Sequence, residues 1–436
     1  MMNLLYNILL TLAAPFLIPF LLVKIVYAGK YRTSIGPKLG FIPEELFREM
    51  RGSPRIWVHA VSVGEVTAAA PIISSLRGLF PEGCIVLSTG TETGQEMARR
   101  IVTDATAHIY YPLDIPSVVR RVMDRVRPDI FVPVETEIWP NFIRACTERR
   151  IPVVMVNGRI SPRSFGRYRQ TRFFWRYVMN MIDLSGVISE IDACRLETLG
   201  VEPSKIHVMG NAKYDSLAAS ADGSLRDEMA ARLDIPRGAR VFVAGSTHEG
   251  EEQVVLEVYR ELAGRYPDLL MIIVPRHPER GEAVRSLARG AGFYDCVMMT
   301  EVYRGERRAG RRIVIVDVIG ELFGAYGLAT TVFCGGSLVP RGGQNILEPA
   351  AWGRVVLYGP SMEDFRDEKE LLEEAGGGIT IRDGGQLLDE ILGLMEDPET
   401  LRRRGEAGRA VVTSNGGAAQ RYADLISERL GLARLR

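Results

Sequence analysis

The carboxylates that could take part in chemistry stand where an apolar run gives way to a small-residue turn. In WVHAVSVGEVTAAAPII, beginning at Trp57, a strand-like run breaks at Ser62-Val63-Gly64, and Glu65 opens a helical stretch. Ser62-x-x-Glu65 has capping-box spacing, in which the two side chains satisfy orphan helix N–H groups. A carboxylate fixed at such a junction is also placed to accept a proton. PVETEIWPN follows another apolar run, and its Glu135 and Glu137 share a face if the segment is extended. Two adjacent carboxylates cost energy unless a cation or a proton lies between them; the alternative is an acidic supply to a helix N-terminus. Lys213, in GNAKYD, is a cation suited to an anionic group.

A second group of such turns lies further along the chain. VAGSTHEGEE ends a run at Ser246, and VPRHPER sets Pro275, Arg276 and His277 directly after another. DVIGELFGAYG places Ile319, Gly320 and Glu321 at a third turn. GGSLVPRGGQNILEPAAWG ends in glycines and is expected to open a helix at Gln344–Asn345, continuing through Ile346, Leu347 and Glu348. Backbone N–H groups at a helix start suit a phosphate, and an acidic residue one turn in can accept from ribose hydroxyls. Together these loops read as a nucleotide pocket. STGTETGQEMA matches neither G-x-x-x-x-G-K-[ST] nor G-x-G-x-x-G, which disfavours a kinase or a dehydrogenase. The chain has no H-E-x-x-H and no D-x-D, and its five cysteines are scattered without a C-x-x-C pair. No metal site, no cofactor and no disulfide framework is expected.

The elements needed to position these residues are strands alternating with helices. RIWVHAV, CIVLST, IFVPV and PVVMVN are each followed by a small or polar turn and then by helical periodicity. A second series begins near Arg240 with VFVAGS, LLMIIVPRH, RIVIVDV, TVFCGGS and VVLYGP. Such alternation predicts parallel sheets covered by helices, with ligands at the carboxyl ends of the strands. The 436 residues are too many for one ordinary core and point to two or three domains. We read residues 1–30 as a membrane anchor, 31–215 as a first α/β domain, 216–239 as a polar linker and 240–410 as a second α/β domain. Residues 411–436 form a C-terminal helix expected to pack back on the first domain.

Charge is balanced overall, with 54 Lys plus Arg against 54 Asp plus Glu, which argues against nucleic acid as a partner. Locally it is not. The apolar stretch LLYNILLTLAAPFLIPFLLV has bilayer-spanning length, contains Pro15 and Pro19, and is followed by Lys24, Lys30, Arg32 and Lys38 before any acidic residue. The positive-inside rule then leaves the body of the protein on the cytoplasmic side. GRISPRSFGRYRQTRFFWRYVM interleaves Arg159, Arg163 and Arg167 with aromatic residues, a composition suited to a membrane-facing or acceptor-binding surface.

In their order along the chain, WVHAVSVGEV, VETEIWPN, NGRIS, GNAKYD, AGSTHEGEE, VPRHPER, IGEL and GGQNILEP resemble the 3-deoxy-D-manno-octulosonic acid (Kdo) transferases of lipopolysaccharide biosynthesis. The resemblance runs from the N-terminus to about Asp367. It implies a glycosyltransferase-B architecture, two Rossmann-like domains facing a central cleft, without a metal. It implies inverting transfer of Kdo from CMP-Kdo to the lipid A precursor at the cytoplasmic face of the inner membrane. Carried over residue by residue, it makes Glu65 the catalytic base and Glu135 and Lys213 supports of the transition state. Ser246, Pro275–His277, Ile319–Glu321 and Asn345–Glu348 become CMP-Kdo-binding positions. The alternatives are another two-domain nucleotide-sugar enzyme, or a membrane-anchored nucleotide-binding scaffold without turnover.

Overall fold

The structure, a computed structural model, describes Met2, Leu4, residues 6–12, Pro15 and residues 33–431, the side chains of Pro162 and Arg163 excepted. The chain divides into two compact units. One comprises the chain up to Ser216 together with the segment from Asn415, and the other is Leu217–Ser414.

In the first unit the strands are β1 (Arg55–His59), β2 (Cys84–Thr89), β3 (Ala107–Tyr110), β4 (Ile130–Pro133), β5 (Val154–Gly158), β6 (Leu184–Val187) and β7 (Ile206–Val208). All neighbours pair in parallel, in the order β3-β2-β1-β4 and β5-β6-β7. Bridges Phe131–Val153 and Val134–Val156 join β4 to β5. These strands are apolar at nearly every position because helices cover both faces. Period-two alternation divides β1 between two cores: Trp57 packs with Phe131 and Phe142, while Ile56 and Val58 pack with Ile72 and Ile85.

The second unit repeats the plan. Its strands are β8 (Val241–Thr247), β9 (Leu270–Pro275), β10 (Cys296–Met298), β11 (Ile313–Ile315), β12 (Thr331–Cys334), β13 (Val355–Tyr358) and β14 (Gly378–Thr380). They form a parallel seven-stranded sheet in the order β10-β11-β9-β8-β12-β13-β14. Strand order therefore reverses between β1 and β4 in one unit and between β8 and β12 in the other. Such switch points open a crevice beyond the carboxyl ends of the strands.

Two expectations change in detail. The stretch 216–239 is not an open linker, since it carries the end of helix Lys213–Ser220 and the whole of helix Gly223–Arg232. Met229 on this helix and Leu233 and Ile235 just beyond its end are buried in the second unit's core. Beyond Pro398, the helix Pro398–Ser414 stays with the second unit, and only helix Ala418–Arg429 belongs to the first, where it packs on helix Val63–Leu79.

That last contact is tightly made. Asp215 accepts from the backbone N–H groups of Gly417 (2.5 Å) and Ala419 (3.2 Å), tying down the helix start. The ring of Tyr422 is fully buried and its hydroxyl donates to the Gly210 carbonyl at 2.7 Å. It lies against Gly186 of β6, where an added Cβ would meet the ring at 2.6 Å.

Most of the expected anchor (1–30) lies outside the described residues, and among the described residues no helix is long and apolar enough to cross a membrane. Within residues 6–12, the Tyr6 hydroxyl donates to Asp114 (3.0 Å) and Asn7 bonds Asn141 (2.9 Å), while Ile8, Leu9 and Leu12 are exposed. The basic aromatic stretch folds as helices Pro162–Gln170 and Arg172–Met179. Tyr168, Phe174 and Trp175 pack on the first unit's core, whereas Phe173 and Tyr177 are exposed.

Removing the Tyr422 ring leaves a cavity in a close-packed site. Tyr422→Ala is expected to destabilise the first unit by about 3–5 kcal/mol and Tyr422→Phe by about 1 kcal/mol. Urea unfolding followed by a probe in that unit checks both.

Candidate active site

In the first unit the candidate residues leave the sheet on either side of its switch point. Helix Val63–Leu79 begins just beyond β1, with Ser62 at its N-cap and Glu65 in its first turn. The capping box is not formed: the Ser62 side chain makes no cap hydrogen bond and instead donates to Glu65 Oε1 at 2.8 Å. Glu65 Oε2 accepts from the Val61 backbone N–H at 2.6 Å. The serine thus holds the carboxylate rather than the helix. Glu65 is only 8% exposed. Burial raises its pKa from 4.5 to about 7, against the pull of the Val61 and Ser62 hydrogen bonds and helped by the charges of Glu137 and Glu135.

Glu135 and Glu137 do not lie on one extended face. Glu135 takes a left-handed conformation, φ 60°, so the chain turns as it leaves β4. Its backbone N–H is held by the Val156 carbonyl at 2.9 Å, and the Thr136 hydroxyl donates to the Arg159 carbonyl. A cation pairs with one of the two carboxylates: Lys213 Nζ lies 2.8 Å from Glu135 Oε1, with both side chains partly buried. Glu137 is left with its pKa raised by burial and by Glu135. The structure thus gathers Glu65, Glu135, Glu137 and Lys213 at one edge of the sheet. Arg159 and Arg167 are exposed nearby in sequence, and the Arg163 side chain lies outside the described residues.

In the second unit Ser246, buried and with φ 53°, is the last residue but one of β8, while Pro275 ends the neighbouring β9. The Arg276 N–H that follows donates to the Thr247 carbonyl at 2.9 Å. The expected helix at Gln344–Asn345 begins later, at Leu347, and ends at Ala351. Gly342 and Gly343, both left-handed, and an Asn345 side chain that accepts from the Leu347 N–H at 3.2 Å delay its start. One helix-start amide is therefore already satisfied. Asn345 Nδ2 also donates to Glu348 at 3.1 Å. Burial raises the Glu348 pKa to about 7, opposed by Asn345 and by the Arg276 charge, so Arg276, Asn345 and Glu348 form one electrostatic group.

Ile319 and Glu321 fall differently. Ile319 is 88% exposed, and the Glu321 carboxylate is paired with Arg232 at 3.2 Å and accepts from Tyr303. Gly320 takes φ 99° to turn the loop between them. His277 stands edge-on to His248, ring centres 5.8 Å apart.

Two residues that the sequence reading passed over fix these loops. Glu251, with no exposed surface, accepts backbone N–H bonds from His248 (2.9 Å), Gly336 (2.7 Å), Ser337 (3.0 Å) and Leu338 (2.9 Å). At Gly335 an added Cβ would sit 2.6 Å from the Ser246 carbonyl and 2.9 Å from Glu251, so no larger residue fits. The adjacent Glu252 pairs with Arg280 at 3.1 Å and anchors the end of the PRHPER loop. Their one sequence signal is the doubled glutamate opening helix Glu251–Arg265, which reads as ordinary dipole matching.

Two parallel-sheet units, each presenting polar loops beyond its switch point, define a glycosyltransferase-B-like fold. A solved structure of UDP-GlcNAc 2-epimerase from Neisseria meningitidis shares this fold, with a TM-score of 0.59 at 15% identity, over 86% of this chain and 99% of that one. Residues 33–216 match the family model described as 3-Deoxy-D-manno-octulosonic-acid transferase (kdotransferase). The 3-deoxy-D-manno-octulosonic acid transferase of Haemophilus influenzae is 33% identical, over 97% of this chain and 97% of that protein. The protein of the same name from Chlamydophila psittaci is 30% identical over 91% of this chain and 89% of its own length. The chain belongs to the 3-deoxy-D-manno-octulosonic acid transferase family.

Replacing Glu251 by alanine leaves buried N–H groups without an acceptor. The amides of Gly336, Ser337 and Leu338 are expected to exchange with deuterium at least about tenfold faster in Glu251→Ala than in the wild type, equivalent to about 1.4 kcal/mol. For Glu65 the folded pKa lies above the unfolded one. Its contribution is fully present below about pH 4.5 and lost as pH rises through about 7. Glu65→Gln, which does not ionise, should gain on the wild type by about 1–3 kcal/mol between pH 5 and pH 8, read from unfolding curves at the two pH values.

Proposed function

We propose that the chain is an inverting glycosyltransferase that moves Kdo from CMP-Kdo to the lipid A precursor at the cytoplasmic face of the inner membrane. The observation that carries the reading is Glu65: a carboxylate fixed by two hydrogen bonds, in a member of the Kdo transferase family, with a pKa of about 7. A general base works best when its pKa lies near the working pH.

In the proposed reaction Glu65 takes the proton of the acceptor hydroxyl as that oxygen forms its bond to the anomeric carbon. The bond from that carbon to the CMP phosphate oxygen breaks, and its electron pair leaves with CMP. A single displacement of this kind inverts the anomeric centre. Arg276 pairs with the departing phosphate. Glu348, held by Asn345, accepts from the ribose hydroxyls when ionised. The Glu135–Lys213 pair keeps a cation beside the carboxylates. It offsets the negative charge that Glu65 acquires on ionising and regains after each proton is passed on.

Two features support work at a membrane. Residues 1–30 have the composition of an anchor. The exposed Ile8, Leu9 and Leu12 lie on a segment whose Tyr6 ring is 6.0 Å from Phe174, next to the exposed Phe173. Lipid-bound acceptors require such a surface.

Product mass after incubating detergent-solubilised protein with CMP-Kdo and tetraacyl lipid A precursor tests the reading. The wild type should add Kdo, with a rate that rises through about pH 7 and then levels. Glu65→Gln should lose about 10²–10⁴-fold of that rate while still binding CMP. Unchanged activity in the variant, or a folded, CMP-binding wild type without product, defeats the proposal.

A further inference from the structure

The second unit has a cavity at the opposite edge of its sheet from the candidate nucleotide loops. It has a volume of about 760 Å³ and lies where the chain enters β8, β12 and β13, closed on one side by helix Pro398–Ser414. Five arginines line it: Arg226, Arg237, Arg354, Arg402 and Arg409. Its two carboxylates are already engaged. Asp227 pairs with Arg226 (2.9 Å) and Arg237 (3.6 Å), and Glu406 pairs with Arg402 (2.6 Å). Among the described residues neither Arg354 nor Arg409 has a carboxylate partner.

Arg354 is the informative group. It is partly buried between the β13 entry and helix Leu322–Leu328, where it donates to the Gly327 carbonyl. Its Nε, and the indole Nε1 of the neighbouring Trp352, are buried without any hydrogen-bond partner. Burial and the nearby Arg226 charge both push its pKa below the usual guanidinium value. A partly buried guanidinium near a second one, without a carboxylate of its own, is costly unless an anion occupies the adjoining space. Arg409 reaches the same place, its side chain packing beside Gly353.

We propose that this cavity binds a small phosphate-bearing anion, held by Arg354 and Arg409, at a site separate from the one that takes the nucleotide. Arginine forks suit phosphate oxygens, which accept two parallel N–H bonds. The volume admits more than one phosphate group, and the open arginine-lined rim favours a compact polyanion over a neutral sugar. Nothing in this inference depends on the sugar transferred or on the acceptor.

Calorimetric titration of the full chain with inorganic pyrophosphate, in the presence of excess CMP, provides the test. The wild type should bind one pyrophosphate, more weakly as salt increases. Arg409→Glu, an exposed change that leaves the core intact, should weaken binding by about tenfold or more. Arg354→Lys, which keeps the charge but not the fork, should weaken it as well. No binding at millimolar pyrophosphate, or binding that CMP displaces, overturns the proposal. So does binding indifferent to Arg409→Glu, whether or not Arg354→Lys folds. CMP itself should bind Arg409→Glu as it binds the wild type, which separates failure of this site from failure of the nucleotide reading.

Discussion

A carboxylate buried without charge partners is tolerated only where N–H donors surround it, and the second unit is organised around one such group. Glu251 receives backbone hydrogen bonds from the loop after β8 and from the loop after β12, the two strands that flank the switch point. Four donors on one carboxylate replace the water it has lost. The loops are thereby held at fixed separation, and Ser246, Asn345 and Glu348 inherit their places from that spacing. Glu252, next along the helix, extends the arrangement through Arg280 to the loop after β9.

The first unit holds a carboxylate at the corresponding point of its own sheet and treats it differently. Glu65 also stands in the first turn of the helix that follows a switch-point strand, and it is also buried, but it has two donors where Glu251 has four. Burial, only partly offset by those two donors and reinforced by two neighbouring glutamates, leaves its proton loosely committed near neutral pH. The same motif thus yields a structural clamp when saturated and a candidate base when under-coordinated. Donor count, not burial alone, separates the two roles.

The strands and their order of appearance were legible because unbroken apolar runs, each closed by a polar turn, have few other readings. The position of Glu65, Glu135 and Arg276 just beyond a strand was legible for the same reason. What the sequence hid is non-local. Ser62-x-x-Glu65 has the letters of a capping box, yet the serine hydroxyl turns to the carboxylate because the Val61 N–H has drawn that carboxylate back toward the strand. Glu135 and Glu137 read as one face of a strand, yet the left-handed turn at Glu135 parts them. Glu251 bonds residues 85 to 87 positions away, beyond the reach of any local pattern. Likewise the stretch 216–239 looks like a linker by polarity, and only its contact with helix Leu322–Leu328 shows why Met229 and Leu233 are apolar.

Backbone strain falls in the same places. Of the non-glycine residues with positive φ, Arg127, Arg150 and Asp234 follow helices, where a left-handed residue ends the element at small cost. Ala309 turns the loop before β11, whereas Glu135, Asn157 and Ser246 each sit at the carboxyl end of a strand. Asparagine tolerates this conformation and uses it, its Oδ1 accepting the Ala212 N–H at 2.9 Å just before Lys213. Glutamate and serine tolerate it less, at a cost of order 1 kcal/mol each. At Glu135 the turn is held from both sides, by the Val156 carbonyl on the backbone and by Lys213 on the side chain. Since Asn157 positions the chain before Lys213, two left-handed residues at the ends of adjacent strands share the placement of one ion pair. A relaxed backbone at either would let that pair move, and with it the cation that holds Glu135.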